Sequence, residues 1–220
     1  MRRPLCAWIL VGASLLAAGA GPAYAAYDVR GRTTTDLGSL AGPSGVSAAA
    51  AVSGATLVGS SSLPGPPATP THGFAYSPRT GKTADLGTLG GNSSTANAVS
   101  GSTVVGGDGL PASSIDLTTH TSAVIGSGRG VTEVGQISGN LLVGDNFAPN
   151  SVAFTARADK GSFAYLRPWA ASTRTRRRST GAAQVNGRGV VAGSAALAAA
   201  GPSTANGPFH ATVRVPHPVA

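Results

Sequence analysis

The 220-residue chain has a single cysteine, Cys6, with only 5% aromatic and 11% charged residues. Cys6 lies inside an apolar N-terminal stretch that reads as a cleavable leader, so the mature chain is expected to carry no thiol. That excludes disulfides, cysteine catalysis and cysteine-ligated metal. Its place inside the stretch, and not at the end, also excludes a lipid-anchored precursor. Beyond this stretch no window keeps a 3.6-residue apolar period, which argues against a helical fold. The apolar stretch itself falls short of the roughly 20 residues that a membrane span needs. No D-x-D-x-D calcium loop and no G-x-S-x-G nucleophile elbow occurs.

What the chain has instead is glycine, 32 in all, and repetition. The leader comes first, residues 1–25. Arg2 and Arg3 supply its positive start, Leu5 to Ala20 its apolar run, and Ala23-Tyr24-Ala25 a small-x-small cleavage site. Its removal would leave one domain, residues 26–220, secreted or periplasmic and carrying a net charge lowered from +8 to +6 by loss of the two arginines. The most complete repeat is 72–106, HGFAYSPRTGKTADLGTLGGNSSTANAVSGSTVVG. Phe74-Ala75-Tyr76 and Lys82 to Asp85 flank Ser77-Pro78-Arg79-Thr80-Gly81, a loop of hairpin chemistry. A second hairpin turns at Ser100-Gly101.

Copies follow at nearly fixed intervals. VSGATLVG (52–59), VSGSTVVG (99–106), ISGNLLVG (137–144) and VNGRGVVAG (185–193) repeat the second hairpin. Asp36-Leu37-Gly38, Asp85-Leu86-Gly87 and Glu133-Val134-Gly135 lie 49 and 48 residues apart, and His72 and His120 lie 48 apart. Tyr27 precedes Asp36 by the same step as Tyr76 precedes Asp85. Two hairpins per unit give about four strands in fewer than fifty residues, the arithmetic of a propeller blade. The expected fold is all-β, a propeller-like array of four units at 26–71, 72–119, 120–149 and 150–220; an open or incomplete array is the alternative. The third unit looks short, because Glu133-Val134-Gly135 runs almost directly into Ile137. The C-terminal HATVRV (210–215) matches only the opening strand of a unit. It is therefore expected to complete a blade with the N-terminal strands and close the ring.

The stretch 72–106 resembles the HAF-repeat extracellular proteins, through His72-Gly73-Phe74-Ala75-Tyr76, the segment Asp85 to Gly91 that includes Leu86, Gly87 and Gly90, and Val105-Gly106. Weaker likeness lies at 26–59, 120–144 and 151–193. The resemblance implies an exported bacterial protein built of propeller-like repeats. It implies no catalytic residues, since the family brings none.

Chemistry is thin. Three histidines recur (72, 120 and 210), but equivalent residues of separate blades stand far apart, so they are read as pins for loops and not as a metal ring. Asp36, Asp85 and Glu133 are read in the same way, as acceptors for backbone N–H groups in tight turns. Gly81-Lys82-Thr83 imitates the end of a P-loop, but Tyr76 stands where its first glycine belongs. No cofactor or metal is expected. Arg174, Arg176, Arg177 and Arg178 form a basic cluster, read either as a solvated loop or as a patch for an anionic envelope polymer or glycan. An exported protein meets such polymers before nucleic acid, so no nucleic-acid partner is expected. The expected function is a non-catalytic binding or scaffold module at the envelope or outside the cell, with binding placed in the connectors 60–71, 108–119, 146–150 and 174–180. The alternative is a carbohydrate-active hydrolase, which needs two carboxylates converging within about 5–10 Å.

Overall fold

The structure is a computed structural model. It describes residues 8–10, 25–28, 33–43, 45–65, 70–88, 91–107, 112–125, 132–146, 152–159, 163–166, 177–198 and 204–212. These residues form antiparallel strands throughout and no helix. They fall into two compact units, residues 1–108 with 115–121 and residues 109–114 with 122–220.

The first unit opens with a three-stranded sheet of β1 (Trp8–Leu10), β2 (Ala25–Asp28) and β3 (Thr33–Asp36). A four-stranded meander follows: β4 (Ser47–Ser53), β5 (Thr56–Ser62), β6 (Thr71–Ser77) and β7 (Lys82–Asp85). The third sheet takes β8 (Thr95–Ser100), β9 (Thr103–Gly107), β10 (Ser113–Asp116) and β11 (Ser122–Val124), and the unit boundary passes through it. In the second unit β12 (Thr132–Ser138), β13 (Leu141–Asn146), β14 (Val152–Arg157) and β15 (Phe163–Tyr165) make another four-stranded meander. The last sheet is β16 (Arg177–Val185), β17 (Val190–Ala198) and β18 (Thr204–Thr212).

Strand alternation sorts the core into two faces of the second sheet. Leu57, Phe74 and Tyr76 point to one side, where they meet Leu37 and Leu40 from the segment after β3. Val58 and Ala75 point to the other, against Ala96, Val99 and Val104 of the third sheet. The register enforces this split, since Leu57 stands opposite Tyr76 and Val58 opposite Ala75. Phe74, 2% exposed, is among the largest fully buried side chains; its burial contributes about 2–3 kcal/mol. In the second unit Val143, Ala153, Val185 and Val191 pack together, linking the fourth and fifth sheets. The second sheet is greasy on both faces, so neither of its faces can be left without a neighbour.

A common local grammar builds the first hairpin of each meander. Gly54, Gly101 and Gly139 take φ of 59°, 61° and 59° at the first corner of two-residue turns, where a side chain would be strained. Three to five residues earlier, each opening strand carries a bulge: Ala49/Ala51, Ala96/Ala98 and Val134/Gln136, with another at Ala182/Gln184 in the last sheet. Opposite each of the first three bulges sits the glycine of the Val-Gly signature, Gly59, Gly106 or Gly144. A Cβ there would overlap the carbonyl oxygen of Ala48, Thr95 or Glu133 respectively. The repeated Val-Gly is thus a site of close backbone approach.

Several expectations hold and several change. Tyr27 pairs with Thr34 as Tyr76 pairs with Thr83, which bears out their equal spacing. β14 and β15 pair antiparallel, with Ala156 opposite Phe163 and Phe154 opposite Tyr165. The equation of Glu133 with Asp36 and Asp85 is overturned. Glu133 lies inside β12, opposite Asp145, at the position of Ala48 and Thr95. The true counterparts of Asp85-Leu86 are Val124-Ile125 and Tyr165-Leu166, because Leu86, Ile125 and Leu166 each donate a backbone bond at the start of the third strand of their sheet, to Gly73, to Ala112 just before β10, and to Ala153 (2.9, 2.7 and 2.8 Å). The third repeat therefore loses no strand: apolar residues have replaced its carboxylate, which hid the motif. His120 does not copy His72 either. It sits in the turn after β10 with φ 56°, its N–H bonded to the Asp116 carbonyl. The fourth hairpin turns over Asn186–Gly189, where the Asn186 carbonyl accepts the Gly189 N–H at 3.0 Å, and its left-handed glycine is Gly189 (φ 77°) and not Gly187. Finally, β18 pairs with β17 as the third strand of the last sheet, while β2 and β3 pair with Trp8–Leu10. The C-terminal strand therefore joins the last sheet and not the first, and among the described residues no sheet is closed.

Candidate functional site

The corner after β7 gathers more polar chemistry than any other repeat position described. Asp85 is the last residue of its strand, and its Oδ1 accepts the N–H of Gly87 at 2.7 Å, with Gly87 in the left-handed region (φ 66°). Ser94, at the entry to the next sheet, donates its hydroxyl to the Gly87 carbonyl at 2.6 Å and accepts the Gly73 N–H at 2.9 Å. Across the strand pair, His72 Nδ1 lies 2.9 and 3.0 Å from the two Asp85 oxygens. The first repeat builds the same corner without the histidine. Asp36 Oδ1 accepts the Gly38 N–H at 2.9 Å, Gly38 has φ 62°, and Ser47 donates to the Gly38 carbonyl at 2.7 Å.

The expectation for the aspartates is thus met in both complete copies: each carboxylate accepts a backbone N–H and shapes a turn. The histidine expectation is amended. The sequence reads His72 as a pin for a loop, and its partner is the Asp85 carboxylate on the neighbouring strand. With the Asp85 side chain 42% exposed, the His72 pair belongs to the weak class of surface interactions. Leu86 packs against the core face shared with Val104, and Gly91 is exposed. Phe74, Tyr76 and Gly106 do the packing work described above. Gly90, Arg174 and Arg176 lie outside the described residues, and for Arg177 and Arg178 only the backbone is described, in β16.

Three further groupings were not anticipated. Asp116 closes the turn between β10 and β11. Its Oδ1 accepts the N–H groups of Thr118 and Thr119 at 2.7 and 3.0 Å, and its Oδ2 accepts the Ser102 hydroxyl at 2.9 Å. The backbone N–H of Thr119, then that of Thr118, then Ser102 hold this carboxylate below its usual 3.8. Glu133 and Asp145 stand directly opposite on β12 and β13, a like-charged cross-strand pair. Only the bulged register brings them together; the sequence marks Glu133 as a turn acceptor and gives Asp145 no role.

The third grouping is aromatic. Phe154 is fully buried and stacks on Phe163 with centroids 4.5 Å apart; Phe163 meets Tyr165 edge-on at 4.9 Å. The Tyr165 hydroxyl accepts a bond from Asn146 Nδ2 at 2.9 Å, and Asn146 is 1% exposed. Tyr165 is nonetheless 41% exposed. A ring anchored this firmly presents a rigid apolar face to solvent at little entropic cost. No group of three or more His, Cys, Asp or Glu side chains able to hold a metal ion exists among the described residues.

No protein-family model matches the chain, and no curated protein matches it. Among solved structures it is similar to TolB from Acinetobacter baumannii, a β-propeller, at 11% identity and a TM-score of 0.51, over 87% of this chain and 47% of that one. The fold is a propeller-like β array. The chain spans less than half the length of that neighbour. A puromycin-hydrolyzing peptidase from Mycobacterium tuberculosis matches more loosely, at 14% identity and a TM-score of 0.44, over 79% of this chain and 29% of that one. Likeness at these identities speaks to architecture and not to chemistry. No described helix is long and apolar enough to cross a membrane.

Proposed function

We propose that the chain is an exported, non-catalytic β-repeat module of the HAF-repeat kind that binds an acidic glycan of the cell envelope or its surroundings. The observation that carries this reading is how the repeated polar residues are used. Asp36, Asp85, Ser47 and Ser94 all bond to backbone groups at sheet corners, so the repeat's own chemistry builds the fold. Ligand contact is left to residues that the repeat does not share. Tyr165, at the position of Asp85, is the best of these: its rigid exposed ring offers a stacking face for a sugar. The arginines at 174–178 supply the charge for an acidic one.

The test uses the chain without residues 1–25 on a glycan array. Expected are hits among acidic glycans, affinity that falls as salt rises, and about tenfold weaker binding for Tyr165→Ala, with Tyr165→Phe close to wild type. No glycan retained, or binding indifferent to salt and to Tyr165→Ala, overturns the reading. A carbohydrate hydrolase is the rival, and among the described residues the cross-strand Glu133–Asp145 pair is the carboxylate juxtaposition that favours it. Turnover of an array ligand that Glu133→Gln abolishes would decide for that rival.

A further inference from the structure

The fourth hairpin departs from its three predecessors in a way that has chemical consequences. In those, the residue before the corner glycine is Ser53, Ser100 or Ser138. In the fourth it is Asn186, followed by Gly187. Asn186 is fastened into the loop by its backbone: its N–H donates to the Val190 carbonyl at 3.1 Å, and its carbonyl accepts the Gly189 N–H at 3.0 Å. Its side chain folds back over the turn, with Oδ1 accepting the N–H groups of Arg188 and Val190, each at 3.0 Å. Such an Asx turn lays the side chain over the intervening peptide, whose nitrogen is that of Gly187. Asn186 and Gly187 are both exposed.

We propose that Asn186-Gly187 is a self-modification site at which the turn promotes conversion of the asparagine to aspartate and isoaspartate. Water takes the proton of the Gly187 peptide nitrogen, and that nitrogen adds to Asn186 Cγ. The Cγ–Nδ2 bond then breaks and ammonia leaves, giving a five-membered succinimide. A water molecule opens the ring at either carbonyl, so the balance is asparagine plus water to acid plus ammonia. Negative charge develops on Oδ1 as the nitrogen adds. The Arg188 and Val190 N–H groups already point at that oxygen, as donors in an oxyanion hole do. Glycine at 187 leaves the attacking nitrogen unshielded.

The chain holds its own control. Asn206-Gly207 is the same dipeptide, but it lies within β18, where Asn206 pairs with Ala196 and Gly207 with Ala195. A backbone held extended in a paired strand must leave its ladder before the five-membered ring can close, so this copy converts slowly.

The experiment incubates the full chain, folded, at mildly alkaline pH. Peptide mass mapping with isoaspartyl methyltransferase labelling reads each Asn-Gly over time. Expected is conversion at Asn186 about tenfold or more faster than at Asn206, and slower conversion of Asn186 once urea unfolds the chain. Gly187→Ala serves as the folded control. A Cβ there meets only the Ser138 hydroxyl at 3.8 Å, an ordinary contact, and Gly187 is not among the left-handed glycines. That variant keeps the fold and slows Asn186 conversion about tenfold or more. If Asn186 outlasts Asn206, or if unfolding accelerates it, the turn protects the amide and the proposal is wrong.

Discussion

Replacing Gly106 by alanine tests the close approach on which every meander depends. A Cβ on Gly106 would overlap the Thr95 carbonyl oxygen and stand 2.9 Å from its carbon and 3.0 Å from Ala96 Cα. All three atoms are backbone, so no side chain can swing aside. The bulge at Ala96/Ala98 must open or β9 must move away, which disturbs the packing of Val104 and Val105, 3% and 0% exposed. Overpacking of a well-filled site costs about 1–3 kcal/mol, and a rigid backbone obstacle belongs at the upper end. Gly101→Ala is a graded comparison: open space surrounds it, but its φ of 61° costs a side chain about 1–2 kcal/mol. Gly187→Ala should cost little, its nearest neighbour being 3.8 Å away. For a domain of this length each kcal/mol moves Tm by about 2–4 °C. Thermal melts followed by far-UV circular dichroism should rank Gly106→Ala lowest, about 6–12 °C below wild type, then Gly101→Ala, then Gly187→Ala. A Gly106→Ala protein melting with wild type, or above Gly101→Ala, would refute the idea that Val-Gly marks backbone contact.

Two further outcomes follow from the polar corners. Ser94→Ala removes a donor from the Gly87 carbonyl and an acceptor from the Gly73 N–H, and should cost about 1–3 kcal/mol in urea denaturation; His72→Ala, losing only an exposed pair, should cost less than about 1 kcal/mol. Asp116 has its folded pKa below the usual 3.8, so its contribution is full above that value and fades as pH falls through the lower folded one. The stability gap between wild type and Asp116→Ala, measured by urea midpoints, should therefore be widest near neutral pH and close in strong acid; a gap that widens on acidification contradicts the hydrogen-bonding assignment.

The repeat, the strand-turn-strand units and the absence of helix were all legible in the residues. Their signals are local: a left-handed glycine at 54, 101 or 139 and alternating small apolar residues such as Val104-Val105 need no distant partner to be recognised. The aspartate corners were legible for the same reason, since Asp85 reaches only two residues along the chain. Equivalence between degenerate copies was not. Glu133 has a carboxylate and a nearby glycine, but a strand continues through it. Val124 and Tyr165 occupy the true position with no carboxylate at all. Spacing counts residues, whereas hydrogen-bond register counts partners, and an insertion or shortened loop separates the two.

Composition and periodicity alone determined that this chain makes β hairpins with close-packed glycine backbones, because turn sterics and side-chain alternation act within a few residues. Tertiary structure alone decided which strands share a sheet, that the last strand joins the last sheet, and that Tyr165 stands exposed on a buried aromatic stack. Those outcomes depend on which greasy face covers which, a choice made between segments far apart in the chain, where no local rule operates.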